Sequence, residues 1–430
     1  MIVKLHFGTT QSFHEIYSNS NRWDKEATLY QSFGEDRSSF GFLTYREAKI
    51  RKDVLSPLFS KRAISELQGV VGKNIDRLCQ SLKREDAKGK SCDMLFAYRC
   101  FSLDTIVSYC FAQDVHATEA EDFKAPLTIA MDASLPAMVL FRHFELLRKM
   151  VFGTPGWLTK LTSPDLAGLV DLHAMVRKQI NEVVEDKSAL QKTSHPTIYN
   201  RLLDPELNKT AGVPPVGSLF EEALALFFGG AESAGTTSMI GTYYLLSNPP
   251  VLSRLKSELE SLWPDSQLDT IPRLEDLERL PDLTAIIKES LRMSPSVPSP
   301  LPRVVPPTGA TILDHEIPGG TVVAQSLVFV HMDPEIFPNP KKFDPERWLQ
   351  PNSAALEKHL VAFSKGPRMC LGQTLAMCEL YLAFAVVFRR FELEMDGVRE
   401  DVLQWRECFL PKFTAEHLRA YCRPVKAGAA

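Results

Sequence analysis

The chain has 430 residues, enough to enclose a deep internal cavity rather than a single small core. At 44% hydrophobic and 24% charged residues it has the composition of an ordinary globular protein. A formal charge of −4, with no basic tract, excludes nucleic acid as an expected partner. Eight cysteines without a single CxxC spacing argue against a zinc site or a disulfide scaffold and suit a reducing compartment.

The N-terminus, MIVKLHFGTTQSFHEIY, has no apolar core of signal-peptide length, and no later stretch qualifies as a membrane span. The expectation is a soluble or at most membrane-peripheral protein. Helical periodicity dominates. Apolar residues recur three and four apart from Ala63 to Leu82 and again from Leu166 to Val184. The polar, proline-bearing stretch from Lys187 to Gly217 reads as a surface connection.

The most informative helix follows, from Ser218 to Ser247, closed by Asn248-Pro249-Pro250 because proline disfavours helical geometry in the residue before it. Thirty helical residues span roughly 45 Å. Gly229 and Gly230 sit side by side in its interior, where each costs about 1 kcal/mol relative to alanine. One explanation is close helix packing, with Glu232 capping a kink. The other is a flat ligand lying on the glycine-bared surface, with Glu232 and Ser233 forming a proton path.

Further along, KESLR places Glu289 and Arg292 on one helical face. The later FDPERW can deliver Arg347 to Glu289, tying the next loop to a helix. Short strand-like pieces cluster around Pro302 to Val323 and Phe391 to Arg423. Between them stands FSKGPRMCLG, one cysteine flanked by glycines, a proline and cations, just ahead of an apolar helix. No internal repeat or linker divides the chain, so residues 1–430 are expected to form one mainly α domain with a small β-rich part.

FSKGPRMCLG fits, at Phe363, Gly366, Arg368, Cys370 and Gly372, the F-x-x-G-x-R-x-C-x-G loop of the cytochrome P-450 family. ExxR, PERW and the glycine-acid helix stand in that family's order, and the resemblance runs from about Ile2 to the C-terminus. It implies the cytochrome P-450 fold, with the long helix over a haem b (iron protoporphyrin IX). Cys370 would be the thiolate ligand of the iron, donating electron density that favours O–O cleavage. Backbone N–H groups and the following helix N-terminus would keep the thiolate unprotonated. Gly366 and Gly372 would let the backbone pass close to the porphyrin and the packed helix. Arg368 and Arg303 match propionate-binding positions, and Arg51 and Lys52 fall where cations face the haem. Ala48 stands where relatives often have His or Trp.

In the oxygen-activating helix Ser233 replaces the usual threonine, with Thr236 and Thr237 one turn later. The usual N-terminal membrane anchor is absent, so the chain is either shortened or an unanchored member. The resemblance implies a monooxygenase using O2, electrons from an NADPH-cytochrome reductase and a hydrophobic small molecule. Several stretches are similar to fungal secondary-metabolism members, trichodiene-oxygenase-like ones among them, which points to a terpenoid or polyketide and to a cytoplasmic location or the periphery of the endoplasmic reticulum. A haem-thiolate isomerase, dehydratase or peroxygenase is the alternative, and a non-catalytic haem sensor a third. The pocket is expected from Leu127 to Met150, Leu224 to Ser233, Val297 to Leu301 and Cys408 to Phe413.

Overall fold

The computed structural model describes residues 4–154, 156, 164–186, 190, 193, 195–397 and 400–425. Its principal helices are α1 (Thr10–Ile16), α2 (Tyr45–Leu55), α3 (Lys61–Asp86), α4 (Met94–Phe111), α5 (Pro126–His143), α6 (Glu145–Gly153), α7 (Pro164–Glu185), α8 (Val216–Leu246), α9 (Pro249–Leu262), α10 (Pro281–Met293) and α11 (Gln373–Arg390). The expected periodicities are all present. In α7, Leu172, Val176, Ile180 and Val183 are buried at four- and three-residue spacing.

Helix α4 is buried along almost its whole length and mostly apolar, as a helix enclosed by others must be, and its buried Arg99 and Asp104 are paired with Asp132 and the Ala117 N–H. Asp93 caps it by accepting from the Phe96 N–H. Helix α8 crosses α4 and also packs on α10 and α11. The crossings are tight. A Cβ at Gly235 would stand 2.6 Å from Arg99 Cγ, and one at Gly241 would collide with both Phe384 and the Ser290 hydroxyl. Two of the costly glycines in this helix are therefore packing devices.

The strands are short: β1 (Lys4–His6), β2 (Asp24–Lys25), β3 (Cys92–Asp93), β4 (Arg303–Val304), β5 (Ala310–Ile312), β6 (His315–Ile317), β7 (Val322–Ala324), β8 (Phe391–Met395), β9 (Trp405–Cys408), β10 (Leu410–Phe413) and β11 (Arg419–Pro424). One sheet runs β1-β7-β4-β2, with β1 and β7 parallel and the other pairs antiparallel. Its register sets Lys25 directly opposite Arg303.

Two expectations need correction. The stretch expected as a surface connection from Lys187 to Gly217 contains the helical turn Ile198–Leu202, whose Ile198, Tyr199 and Leu202 are fully buried. Residues 187–189, 191, 192 and 194 of that stretch lie outside the described residues. The stretch Glu121–His143 is long and apolar enough, by composition, to cross a membrane, although no span was expected. Here much of it is buried, and Met131 and Leu135 lie fully in the core.

Candidate active site

The ExxR pair and the PERW arginine meet as the sequence suggested. Glu289 accepts from Arg292 at 2.7 and 2.9 Å and from Arg347 Nε at 3.2 Å. It also accepts from the Trp348 indole N–H at 2.9 Å and the Asp344 N–H at 2.8 Å. Arg292 donates onward to the carbonyls of His331, Pro340 and Lys342. Every charge in this buried cluster is paired, so it fixes the chain ahead of the cysteine loop on α10.

That loop has a defined shape. Gly366 has φ +78, and a Cβ there would lie 2.6 Å from the Tyr17 carbonyl, so the turn and its contact with the end of α1 both demand glycine. Gly372 is different. Its φ is −86 and a Cβ would reach Phe59 only at 4.0 Å, so the expected crowding against the packed helix is not there. The Cys370 N–H donates to the Phe363 carbonyl at 2.9 Å, closing the loop. Cys370 is the one exposed cysteine of the eight, and its exposure is towards an internal cavity that it lines. Burial raises its thiol, while the Gly372 N–H and the Lys52 ammonium pull it back towards the thiolate.

The cavity gathers all four expected segments, through Met138, Leu226, Val297 and Phe409 among others. It also recruits the loop after the turn Gln31–Phe33, which sequence reasoning missed. Phe33, Phe40 and Phe409 pack edge to face, with ring centroids 4.7 to 5.6 Å apart.

Three cations line this cavity: Lys25, Arg303 and Arg368. Lys25 and Arg303 are buried, and among the described residues none of the three has a carboxylate partner. Arg303 donates to the Tyr30 hydroxyl at 2.9 Å, and Lys25 to the Phe40 carbonyl at 2.5 Å. Arg368 donates to the carbonyls of Phe42 and Leu43, but its Nε has no partner among the described residues. Burial and Arg303 push Arg368 down to about 10, and burial, Arg303 and Arg368 drive Lys25 far below its ordinary value. Such a cluster is built for an anion. Lys25 gave no signal in the sequence because a lone lysine before an acid carries no pattern.

Arg51 and Lys52 do not join that cluster. Arg51 is neutralised by Glu222 at 2.7 Å and also donates to Ser218, so it is not a cation free to face the cavity. Lys52, about 100° round the helix, donates to the carbonyls of Pro367 and Met369 and binds α2 to the cysteine loop. Neither lines the cavity.

The two readings of the paired glycines are divided between them. A Cβ on Gly229 would meet no protein atom within 4 Å, and its surface lines the cavity. Gly230 also lines it, but a Cβ there would press on Ile106 at 3.0 Å. Ser233 lines the cavity and donates to the Gly229 carbonyl at 2.9 Å. Of the two later threonines, Thr237 reaches the cavity wall, donating to the Ser233 carbonyl at 3.0 Å with the Ser296 hydroxyl also at 3.0 Å. Thr236 is buried away from the cavity, its hydroxyl without a partner among the described residues.

Glu232 does not line the cavity. It lies 2.6 Å from Arg99, which holds Asp132 at 2.9 Å, and Asp132 in turn meets Lys412. Burial pushes the Glu232 carboxyl up to about 7, against the pull of Arg99. A second acid, Glu379 on α11, lines the cavity fully buried, and burial raises it to about 8.

A thiol, three unbalanced cations and a helix face cleared at Gly229, all on one cavity, fit an iron porphyrin with two propionates. The comparisons agree. The cytochrome P450 family model matches residues 7–415, and the chain belongs to that family. It is a cytochrome P450 monooxygenase, and the curated relatives it matches include fungal ones. It is 33% identical to cytochrome P450 monooxygenase flvC of Aspergillus flavus, over 98% of this chain and 77% of that one. It is 31% identical to cytochrome P450 monooxygenase macH of Penicillium terrestre, over 96% and 81%. The fold is shared with the cytochrome P450DA heme domain, at a TM-score of 0.79 and 19% identity, covering 99% of this chain and 88% of that one.

Proposed function

We propose that this enzyme inserts one oxygen atom from O2 into an apolar fungal secondary metabolite, a terpenoid or polyketide, with electrons from an NADPH-cytochrome reductase and haem b as its prosthetic group. The observation that carries this reading is the single cavity that joins Cys370 to the aromatic wall of Phe33, Phe40 and Phe409. When bound, the haem supplies iron-centred oxygen activation. In this reading Cys370 is its thiolate ligand, inside the loop set by Phe363, Gly366 and Gly372. Lys25, Arg303 and Arg368 receive the propionates. Gly229 leaves the ring room, and Gly230 lets the same helix pack on Ile106.

The chain's own residues manage protons and water. Ser233 turns its hydroxyl from the Gly229 carbonyl towards a ligand in the cavity, and Thr237 supports it through the Ser233 carbonyl. Glu232, with a carboxyl near 7, holds or releases a proton close to neutral pH, with the Arg99 guanidinium 2.6 Å away. A positioned acid and hydroxyl commonly contribute roughly 10²–10⁴-fold to such transfers. The aromatic wall excludes water around the substrate.

In this reading the protein works in the cytoplasm or at the periphery of the endoplasmic reticulum membrane. The exposed Leu140, Phe144, Leu146 and Met150 on α5 and α6 support contact with an apolar surface. The test is spectroscopic and catalytic. Reduced protein exposed to carbon monoxide should show the red-shifted Soret band of a thiolate ligand, absent from Cys370→Ser. Product should require O2, NADPH and a reductase. A histidine-like band in the folded wild type, or turnover without external electrons, would overturn the reading, the second outcome in favour of an isomerase, dehydratase or peroxygenase.

A further inference from the structure

Glu35 lines the same cavity as Cys370, within the aromatic wall formed by Phe33 and Phe40. It is 4% exposed. Among the described residues its carboxylate has no hydrogen-bond or ion-pair partner. The charged groups that reach it are Glu222, Glu221, Asp36 and Lys25, three acids and one cation.

The acids are already engaged. Glu221 takes the Arg37 guanidinium and backbone N–H, Glu222 takes Arg51 together with the Ser39 N–H and hydroxyl, and Asp36 lies 3.8 Å from Arg148. The cation is committed too. Lys25 donates to the Phe40 carbonyl and sits with Arg303 and Arg368, where a haem propionate would be received in the reading above. Glu35 thus feels the Lys25 charge but makes no direct contact with it among the described residues.

The loop that carries Glu35 is fixed in place. Arg37 and Ser39 bind the two adjacent acids of α8, and Ser218 donates to the Arg37 carbonyl at 2.7 Å. The Ser38 N–H and hydroxyl both donate to the Glu35 carbonyl, at 3.0 and 2.8 Å. The backbone is thus held on both sides while the side chain holds nothing. An unpartnered polar group on an apolar wall, presented by a rigid loop, is how a binding pocket encodes one oriented contact.

We propose that Glu35 is the polar anchor of the substrate. The molecule oxidised carries, on an otherwise apolar skeleton, a group with a hydrogen to donate, a hydroxyl or a protonated amine, and the Glu35 carboxyl receives it. The skeleton packs on Phe33, Phe40 and Phe409. Because the anchored end is fixed, the position oxidised is set by its distance from the donor group. This inference rests on the monooxygenase reading above.

The test uses haem-loaded enzyme and three probes of one hydrocarbon skeleton, ending in a methyl, a hydroxyl or a dimethylamino group. Binding is read from the ligand-induced Soret shift in wild type, Glu35→Gln and Glu35→Leu. Wild type should bind a donor-bearing probe about tenfold or more tighter than the hydrocarbon, and Glu35→Leu should lose that preference. Glu35→Gln should keep the preference if the donor is a hydroxyl and lose it if the donor is an amine. The same ranking of probes in all three proteins, each with full haem content and an intact carbon monoxide band, would overturn the anchor and leave the monooxygenase reading standing. Loss of that band in the wild type would overturn the reading beneath it instead.

Discussion

Lys25 and Arg303 face each other across an antiparallel strand pair, two buried cations in direct register without an acid between them. Like charges directly opposite destabilise a sheet. The arrangement is strained until an anion arrives, and this gives it a testable sign. In the haem-free protein Lys25→Met should leave stability unchanged or raise it, since a thioether packs well on the Tyr30 and Phe40 rings where the ammonium now stands 3.9 and 4.3 Å from the centroids. Haem affinity should fall about tenfold or more, the scale of one charge-assisted hydrogen bond. Melting of the haem-free chain and haem transfer to an acceptor protein measure the two halves.

Arg292→Ala should cost about 3–5 kcal/mol, because Glu289 would lose its two-point partner and the carbonyls of His331, Pro340 and Lys342 would lose their donor. The variant should fail to retain haem, checked by the haem-to-protein absorbance ratio after denaturant titration. Full haem retention with only turnover lost would contradict the structural role of the cluster.

Oxygen activation separates three hydroxyls. Ser233→Ala and Thr237→Val should each raise peroxide released per NADPH, with haem content and substrate affinity nearly unchanged. Thr236→Val should be silent, since that hydroxyl does not face the cavity. If Ser233→Ala is silent and Thr237→Val alone uncouples, Thr237 has the role that threonine usually holds one turn earlier.

Glu232 gives stability a pH signature. Its carboxyl is raised from 4.5 to about 7 by burial, opposed by Arg99, Lys412 and His417 and reinforced by Asp132. The folded chain therefore binds this proton more tightly than the unfolded chain. Stability falls as pH rises from 4.5 to about 7 and is flat in this contribution above that. Glu232→Gln should remove the slope. The difference between variant and wild-type melting temperatures, followed from about pH 5 to 8, isolates it from the other buried acids.

What the sequence made legible was local. The cysteine loop, the ExxR pair and the broken long helix each lie within one short stretch, where spacing alone fixes which side chains share a face. The rest depended on helical phase and distant register. Arg51 and Lys52 are adjacent letters that point to different partners, Glu222 and the cysteine loop. Thr236 and Thr237 are likewise separated by a rotation that decides which one meets the cavity. Lys25 became visible only through its pairing with a residue far along the chain, and Glu35 only through a loop clamped to a distant helix.

The tight crossings of α8 at Gly235 and Gly241 bear on how this enzyme could be retargeted. A helix locked to α4, α10 and α11 behaves as an immovable floor, intolerant of substitution and of little use for adjusting shape. The ceiling is assembled from three separate stretches of chain: the loop of Phe33 to Phe40, the helix of Met138 and the hairpin of Phe409. Laboratory evolution for new substrates should therefore accumulate its productive changes in the ceiling, and libraries that spare the floor should yield a larger folded fraction.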